Sequence, residues 1–185
     1  ADSRAAGFRF HPCGRKNREA IIVRRYAGWS GGGRLTSTPM CGRYGRFSRK
    51  ERIEAALGRP IEGGELAPRY NIGPGLPDWV LRQRGEGLRL DLLHWGLLPS
   101  YARDPKASRR PINARAETVA EKPMFRELLR ARRCAVPIDG YYEWRTTTSG
   151  KVPFWFHRED GEPLFLAGLW DLWQNWDNIR FTLGF

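Results

Sequence analysis

The feature that most constrains the fold is a run of short strand-like segments separated by turns, with few stretches long enough for a helix. These segments occupy residues 79–84, 88–95, 134–138, 141–145, 152–158 and 164–170, and residues 179–183 resemble the opening of one more. Leu88, Leu90 and Leu92 alternate with other residues after a Gly-Glu-Gly turn, which is typical of a half-buried hairpin. The pattern predicts an α+β domain with a strongly curved, barrel-like and mainly antiparallel sheet and a few flanking helices.

Two segments have the pattern of a helix. Ser48 and Glu51 form a capping-box pattern before an apolar face that contains Ile53 and ends at Gly58. Pro123 stands at the start of a second amphipathic segment, where it favours the first turn of a helix. Residues 68–77, rich in Pro and Gly, and residues 104–111, polar and basic, are predicted to be loops.

The charge balance favours a polyanionic partner. The chain has 32 Lys and Arg against 20 Asp and Glu, a formal net charge of +12 at pH 7. Half of this excess lies in residues 40–185, so the domain-like part is basic in its own right. Such a balance indicates nucleic acid as a partner. The alternative is a solvated, Arg-rich surface that binds nothing.

Cysteine usage and hydropathy limit the class of protein. Cys13, Cys41 and Cys134 are widely spaced and form no C-x-x-C pair or Cys/His cluster, so we predict no metal site and no cofactor. The odd cysteine count fits a reducing compartment, and we expect a cytoplasmic protein, associated with the nucleoid if the host is bacterial. No apolar run approaches the ~20 residues of a membrane span, so we expect no membrane contact. Separately, we expect the protein to be a monomer.

Residues 1–39 differ from the rest of the chain. They lack sustained periodicity and contain a Gly31-Gly32-Gly33 run and a Ser/Thr/Pro patch. We interpret them as a disordered extension, or as upstream sequence translated from a wrongly chosen start. Residues 40–185 are predicted to form one domain, and we expect the last part of that domain to be missing.

Met40-Cys41 resembles the start of a protein rather than an internal dipeptide. A cysteine that follows an initiator Met becomes N-terminal after the Met is removed, and then carries an amine and a thiol on adjacent carbons. This pair captures an aldehyde as a five-membered ring. An internal Cys41 has only an amide nitrogen, which does not attack. The alternative for Cys41 is a small buried residue, since free cysteine is commonly buried.

Six motifs in a fixed order resemble the SRAP family, the SOS-response-associated peptidases or abasic-site processing proteins. They are Met40-Cys41-Gly42-Arg43-Tyr44, Arg69-Tyr70-Asn71-Ile72-Gly73-Pro74-Gly75, Trp95-Gly96-Leu97-Leu98-Pro99, Pro111-Ile112-Asn113-Ala114-Arg115-Ala116-Glu117-Thr118, Asp139-Gly140-Tyr141-Tyr142-Glu143-Trp144 and Ala167-Gly168-Leu169-Trp170. The resemblance implies recognition of abasic sites in single-stranded DNA and covalent attachment through the N-terminal cysteine as a thiazolidine. It also implies an active-site His in a segment that lies beyond residue 185.

The resemblance assigns roles to residues of this chain. Cys41, Asn113 and Glu143 match the family's catalytic residues, and Arg43 and Arg115 match its phosphate-contacting arginines. We also predict Asn71 as a DNA contact. Alternatives remain: Asn113 in a turn, Glu143 directed to solvent from its strand, and the arginines paired with an acid such as Glu117.

Two aromatic residues are predicted to contact DNA by stacking on a base beside the lesion. Tyr101 lies in a polar loop and is the stronger candidate. Trp95 ends a strand, where packing in the core is the alternative we favour.

Three functions follow from these observations. The first is covalent capture of abasic single-stranded DNA through Cys41, with an associated lyase activity. The second is a cysteine-dependent autopeptidase that removes the leader before Cys41. The third is an inactive, truncated DNA-binding module, for which we expect apolar surface to be exposed at Leu169, Trp170 and Trp173.

Overall fold

The computed structural model describes residues 8–12, 42–174 and 179–184. For residues 8–12 and 179–184 it describes the backbone alone. Within these ranges the elements are β1 (Phe8–Pro12), β2 (Arg43–Arg46), α1 (Lys50–Leu57), β3 (Ile61–Glu62), β4 (Arg69–Ile72), β5 (Pro77–Arg84), β6 (Gly87–Trp95), α2 (Pro123–Ala131), β7 (Arg133–Ile138), β8 (Gly140–Thr147), β9 (Gly150–Arg158), β10 (Leu164–Gln174) and β11 (Ile179–Gly184).

The strands form two sheets. One has the order β1-β9-β8-β2-β4, and the other has the order β11-β10-β7-β5-β6-β3. Pairing is antiparallel throughout, except that β6 pairs in parallel with β3 and with β11. Because β11 bonds to both β10 and β6, the second sheet curves back toward itself. The predicted α+β class with a curved, barrel-like and mainly antiparallel sheet is confirmed.

The core between the sheets fixes the strand that carries the first motif. Tyr44 of β2 and Ile72 of β4 pack against Val80, Leu93 and Trp95 of the six-stranded sheet, and all five side chains are buried. The Tyr44 and Trp95 rings lie 5.3 Å apart between centroids. Burial of aromatic and aliphatic side chains of this size stabilises the fold by ~2 kcal/mol each.

The hairpin of β5 and β6 agrees with its sequence pattern except at one position. Arg84 pairs with Gly87 across the turn, as predicted. Leu90 is buried in a cluster with Ile53 of α1, but Leu92, on the same strand face, is 48% exposed. The predicted alternation is wrong at Leu92 because that cluster ends before it, and Leu93 packs into the core on the opposite face.

The first helix begins differently from its sequence pattern. Its N-cap is Arg49, and no side chain caps it. Ser48 instead bonds to the Asp139 carboxylate, through its Oγ and through its backbone N–H at 2.7 Å. The capping box is therefore wrong, because Ser48 ties β2 to the start of β8. The helix ends at Gly58 in the left-handed conformation, φ 67°, as the sequence predicts.

The second helix follows its pattern. It begins at Pro123 and buries Phe125 and Leu128 against Leu97 and Leu169. The loop predicted at residues 68–77 contains β4, which pairs with β2. The Pro- and Gly-rich composition of this segment is typical of a loop, so the sequence pattern did not indicate the short strand.

The described chain has a strand at each of its two ends. Phe8–Pro12 forms β1 on the edge of β9, where the sequence indicates no element; the rest of residues 1–39 lies outside the described residues. β11 confirms the strand predicted at residues 179–183, and it has two neighbours. The expected exposure of Leu169, Trp170 and Trp173 is wrong: Leu169 and Trp173 are buried and Trp170 is half-buried, since β10 packs against the core, α2 and the loop after Pro99.

Among the described residues, no helix has the length and apolar character needed to cross a bilayer.

Candidate DNA-processing site

Three separate motifs meet at Trp95. Its backbone accepts from Gly75 N–H at 2.6 Å and donates to the Leu76 carbonyl at 3.0 Å, which holds the loop after β4. Its indole Nε1 donates to the Ile112 carbonyl at 2.8 Å, and Leu97 N–H donates to Pro111 at 2.9 Å. Trp95 is therefore the junction of the segments around residues 75, 97 and 112.

Trp95 itself offers nothing to a base. Its side chain is 1% exposed, and its ring packs on Tyr44. The structure thus corrects the prediction that it stacks on DNA, because no face of the ring is accessible. Trp95 instead packs in the core, which is the alternative that its position at the end of a strand favoured.

Arg43 and Asn71 form one corner of the site. Arg43 Nη1 donates to Asn71 Oδ1 at 2.9 Å across neighbouring strands, and both residues are exposed. The guanidinium lies close over Gly73: a Cβ there would be 3.2 Å from Nη1, so a side chain would displace it. Asn71 orients the guanidinium, and a guanidinium is a group that binds phosphate well.

Glu143 lies on the inward face of β8, one residue beyond Tyr142, the strand partner of Arg43, and on the opposite face of the sheet from Arg43. Arg43 pairs with Tyr142, and Tyr44 pairs with Tyr141, whose ring stacks on Phe156 at 5.1 Å. Since side chains alternate along a strand, Glu143 shares the inward face with Tyr141. It is half-buried, and burial raises the pKa of its carboxyl above 4.5. A carboxyl with a raised pKa suits proton transfer.

Cys41 lies outside the described residues. Gly42, to which it is bonded, is the first described residue before β2. The adjoining Arg43 pairs with the residue that precedes Glu143. The strand register therefore places Gly42 level with Glu143 on the neighbouring strand.

Asn113, Arg115 and Tyr101 lie on loops. Asn113 is half-buried and follows the carbonyl held by Trp95, and Arg115 is exposed two residues later. Tyr101 is 70% exposed, as expected for a stacking residue. Its loop is fixed on both sides: Ser100 N–H donates to Asp171 at 2.7 Å, and Trp173 Nε1 donates to the Ala102 carbonyl at 2.7 Å.

Sequence reasoning missed a row of aromatic rings on the outer face of the five-stranded sheet. We name it the aromatic row: Tyr70, Phe47, Trp155, Tyr142 and Trp144. Phe47 follows β2 and Tyr70 lies in β4, so the two rings come from segments that are distant in the sequence. No local pattern therefore reveals the row. The nearest signal is the pair Gly45 and Gly140, where the sheet lacks side chains beneath Trp155.

Within the part of the chain that the structure describes, no group of three or more His, Cys, Asp or Glu side chains is placed to hold a metal ion.

Comparison with known proteins assigns the chain to a family. The family model described as SOS response associated peptidase (SRAP) matches residues 40–183. The chain belongs to the SRAP family. The match includes the segments that meet at Trp95, together with Arg43 and Glu143.

Curated relatives with similar sequences come from bacteria and from eukaryotes. The abasic site processing protein YobE of Bacillus subtilis is 36% identical over 147 residues, covering 77% of this chain and 67% of YobE. The abasic site processing protein YedK of Escherichia coli is 36% identical over 135 residues, covering 70% and 59%. The chain thus spans about three fifths to two thirds of the length of these relatives.

Solved structures have the same fold. A protein from Bacteroides thetaiotaomicron has a TM-score of 0.68 at 26% identity, covering 78% of this chain and 66% of that one. A protein from Bordetella bronchiseptica has a TM-score of 0.64 at 25% identity, covering 78% and 70%. The two-sheet architecture is therefore shared with these solved structures.

Proposed function

We propose that this chain processes abasic sites in single-stranded DNA and becomes cross-linked to them through Cys41 once that residue is N-terminal. The observation that carries the proposal is that the β2–β8 strand pair brings the Arg43–Asn71 pair and the half-buried Glu143 to neighbouring positions, in a member of a family whose relatives are named abasic site processing proteins. The net charge of +12 supports a polyanionic partner.

The first covalent step uses the free amine of Cys41. A ring-opened abasic sugar presents an aldehyde at C1′, and the neutral amine, whose ordinary pKa is ~8, adds to that carbon. The carbinolamine loses water to give an imine. Protonated Glu143 supplies the proton that the departing hydroxyl needs, and the resulting carboxylate recovers a proton from the nitrogen.

The second step closes the ring. The Cys41 sulfur adds to the imine carbon, and the thiol proton passes to the nitrogen, so the product is a thiazolidine and the overall change is loss of one water. Amine and thiol belong to one residue, so the addition is intramolecular and fast. Asn113 holds the amine or a sugar hydroxyl in line, and Arg43 and Arg115 hold flanking phosphates.

The same imine explains an associated lyase activity. A protonated imine at C1′ acidifies the C2′ hydrogens, and loss of one of them expels the 3′ phosphate. Rapid closure of the thiazolidine competes with this elimination, so cross-linking is the main outcome in this proposal.

The test compares the sequence begun at Met40, after Met removal, with the full chain on a labelled abasic single strand. We expect a heat-stable adduct from the trimmed protein and none from the intact 185-residue chain. Cys41→Ser keeps the amine but not the thiol, so it should give only a borohydride-trappable imine. Cys134→Ala is the matched control and should react as wild type. A heat-stable adduct from Cys41→Ala would contradict the mechanism.

Autoproteolysis is the second candidate, favoured by the family's description as a peptidase and by the leader before Cys41. Hydrolysis of the Met40–Cys41 amide would consume one water and release the amine that cross-linking needs. Mass spectrometry of the purified full chain tests this: residues 1–40 should be lost from wild type and retained in Glu143→Gln. Retention in both would exclude self-cleavage under those conditions.

A further inference from the structure

We propose that the aromatic row is a stacking surface for bases of the single strand next to the abasic site. The inference rests on the proposed function and extends it to a second DNA contact, on the outer face of the five-stranded sheet.

The rings form a continuous row. Tyr70 and Phe47 stack with centroids 5.4 Å apart, and Phe47 lies 6.4 Å from Trp155. Trp155 lies 4.7 Å from Tyr142, which lies 6.4 Å from Trp144. Of these, Tyr70 is 64% exposed, and Phe47 and Trp144 are about 40% exposed. Exposed aromatic groups in one patch mark a binding surface.

The row is held rigidly by the sheet beneath it. Trp155 lies flat over two glycines: a Cβ at Gly140 would be 2.4 Å from its ring and one at Gly45 would be 3.0 Å from it. The Tyr142 hydroxyl donates to the Tyr70 carbonyl at 3.2 Å, which links Tyr142 directly to the strand that carries Tyr70. A preorganised surface loses little conformational entropy when a base stacks on it.

The position of the row identifies its occupant. Arg43 is paired with Tyr142 in register and lies on the same outer face, so the row adjoins the corner proposed to hold a phosphate. Asn71, the partner of Arg43, directly follows Tyr70 in β4. A strand whose phosphate sits on Arg43 has its next bases above the rings. Single-strand binding by aromatic platforms beside basic groups is sequence-tolerant, because every base has a π-face.

The test measures how the full chain binds undamaged single strands with bases and strands of equal length in which all bases are replaced by a stable abasic spacer. Both strands have the same phosphates, so the difference between their affinities reports contacts with the bases. Loss of Phe47 and Tyr70 side chains, as F47A/Y70A, should weaken binding of the strand with bases about 5- to 150-fold per stacked base lost. Binding of the spacer strand and its salt dependence should not change.

The variants leave the backbone bonds of the row in place. Tyr142 bonds to the Tyr70 carbonyl, and Asp139 accepts from the Phe47 N–H, so neither bond needs the side chain that is removed. Tyr70→Phe retains the ring and should bind as wild type. Leu92→Ala, an exposed residue of the other sheet, is the matched control. Thermal unfolding verifies the fold of each variant.

Equal binding of the two strands by wild type, or an unchanged preference in F47A/Y70A, would overturn the proposal. The latter result would also be obtained if the row were a protein-docking surface. Failure of the cross-linking proposal is seen separately, as absence of a Cys41-dependent adduct, because the binding assay uses undamaged DNA and needs no free amine.

Discussion

The indole Nε1 of Trp95 donates a 2.8 Å hydrogen bond to the Ile112 carbonyl, so a buried side chain holds the peptide that precedes Asn113. The same ring packs on Tyr44, the residue after Arg43. One side chain thus connects two parts of the candidate site: β2, which carries Arg43, and the loop that carries Asn113.

Trp95→Phe should slow cross-linking, because Trp95 positions the peptide that precedes Asn113. Phenylalanine keeps a ring against Tyr44 but leaves the Ile112 carbonyl without its donor, which costs about 1 kcal/mol of stability. The expected result is a slower single-turnover rate with unchanged affinity for undamaged single strands. In the Asn113→Ala background the same substitution should have no further effect on the rate. Additive losses would show that Trp95 acts on the site by another route.

The hairpin and the second helix could be predicted from sequence because their signals are local. Gly85 and Pro123 determine chain conformation at their own positions, and the neighbouring apolar pattern then follows. The exposure of Leu92 could not be predicted, since it depends on where a cluster from other elements ends. Ser48 has the sequence of a cap, but the Asp139 carboxylate, distant in sequence, competes successfully for it.

For the candidate site, the motifs single out candidate residues but do not predict how those residues are placed relative to one another. The Arg43–Asn71 bond joins residues 28 positions apart and has no sequence signal of its own. Tyr101 was predicted from its polar loop, whereas the Asp171 and Trp173 contacts that hold this loop arise from a strand 71 positions later. These contacts depend on strand pairing between segments that are distant in the sequence. No local pattern in a single sequence indicates which segments will pair.

Asp78→Ala should destabilise the protein strongly. The buried Asp78 carboxylate accepts from Arg46 Nη2 at 2.7 Å and from the Tyr44 hydroxyl at 3.0 Å. Burial of Tyr44 itself, together with the negative charge of Asp78, raises the pKa of the Tyr44 hydroxyl. Removing it leaves the buried Arg46 cation uncompensated, for an expected loss of ~3–5 kcal/mol in urea unfolding. The double substitution R46M/D78L should be milder, because no fully buried charge remains; Arg69, which also contacts Asp78, is partly exposed to solvent. A double variant less stable than Asp78→Ala would contradict this account.

Glu143→Gln should change stability in a pH-dependent way. Burial raises the pKa of Glu143, so the folded state favours its protonated form. The stability that protonation contributes is complete below pH 4.5 and is lost as pH rises through the higher folded-state pKa. The Gln variant avoids this loss, so its melting temperature should exceed that of wild type at pH 8 and match it at low pH.

The control for this measurement is Glu65→Gln, which changes an exposed carboxyl. Its melting temperature should track that of wild type over the whole range. If Glu143→Gln also tracked wild type, Glu143 would have an ordinary pKa and would be a poor proton donor at neutral pH. The cross-linking rate of wild type should correspondingly fall as pH rises through the raised pKa, since the dehydration step needs the protonated carboxyl.

Cys134 should be inert toward alkylation while the protein is folded. It is half-buried on β7 against the core, and burial raises the pKa of its thiol to about 12. Only roughly one thiol in ten thousand is then ionised at pH 8, and the thiolate is the reactive form. Iodoacetamide followed by peptide mass spectrometry should find Cys134 unmodified in buffer and modified in urea. Equal labelling in both would show that the thiol is accessible, and Cys134→Ala would then no longer be a neutral control for chemistry at Cys41.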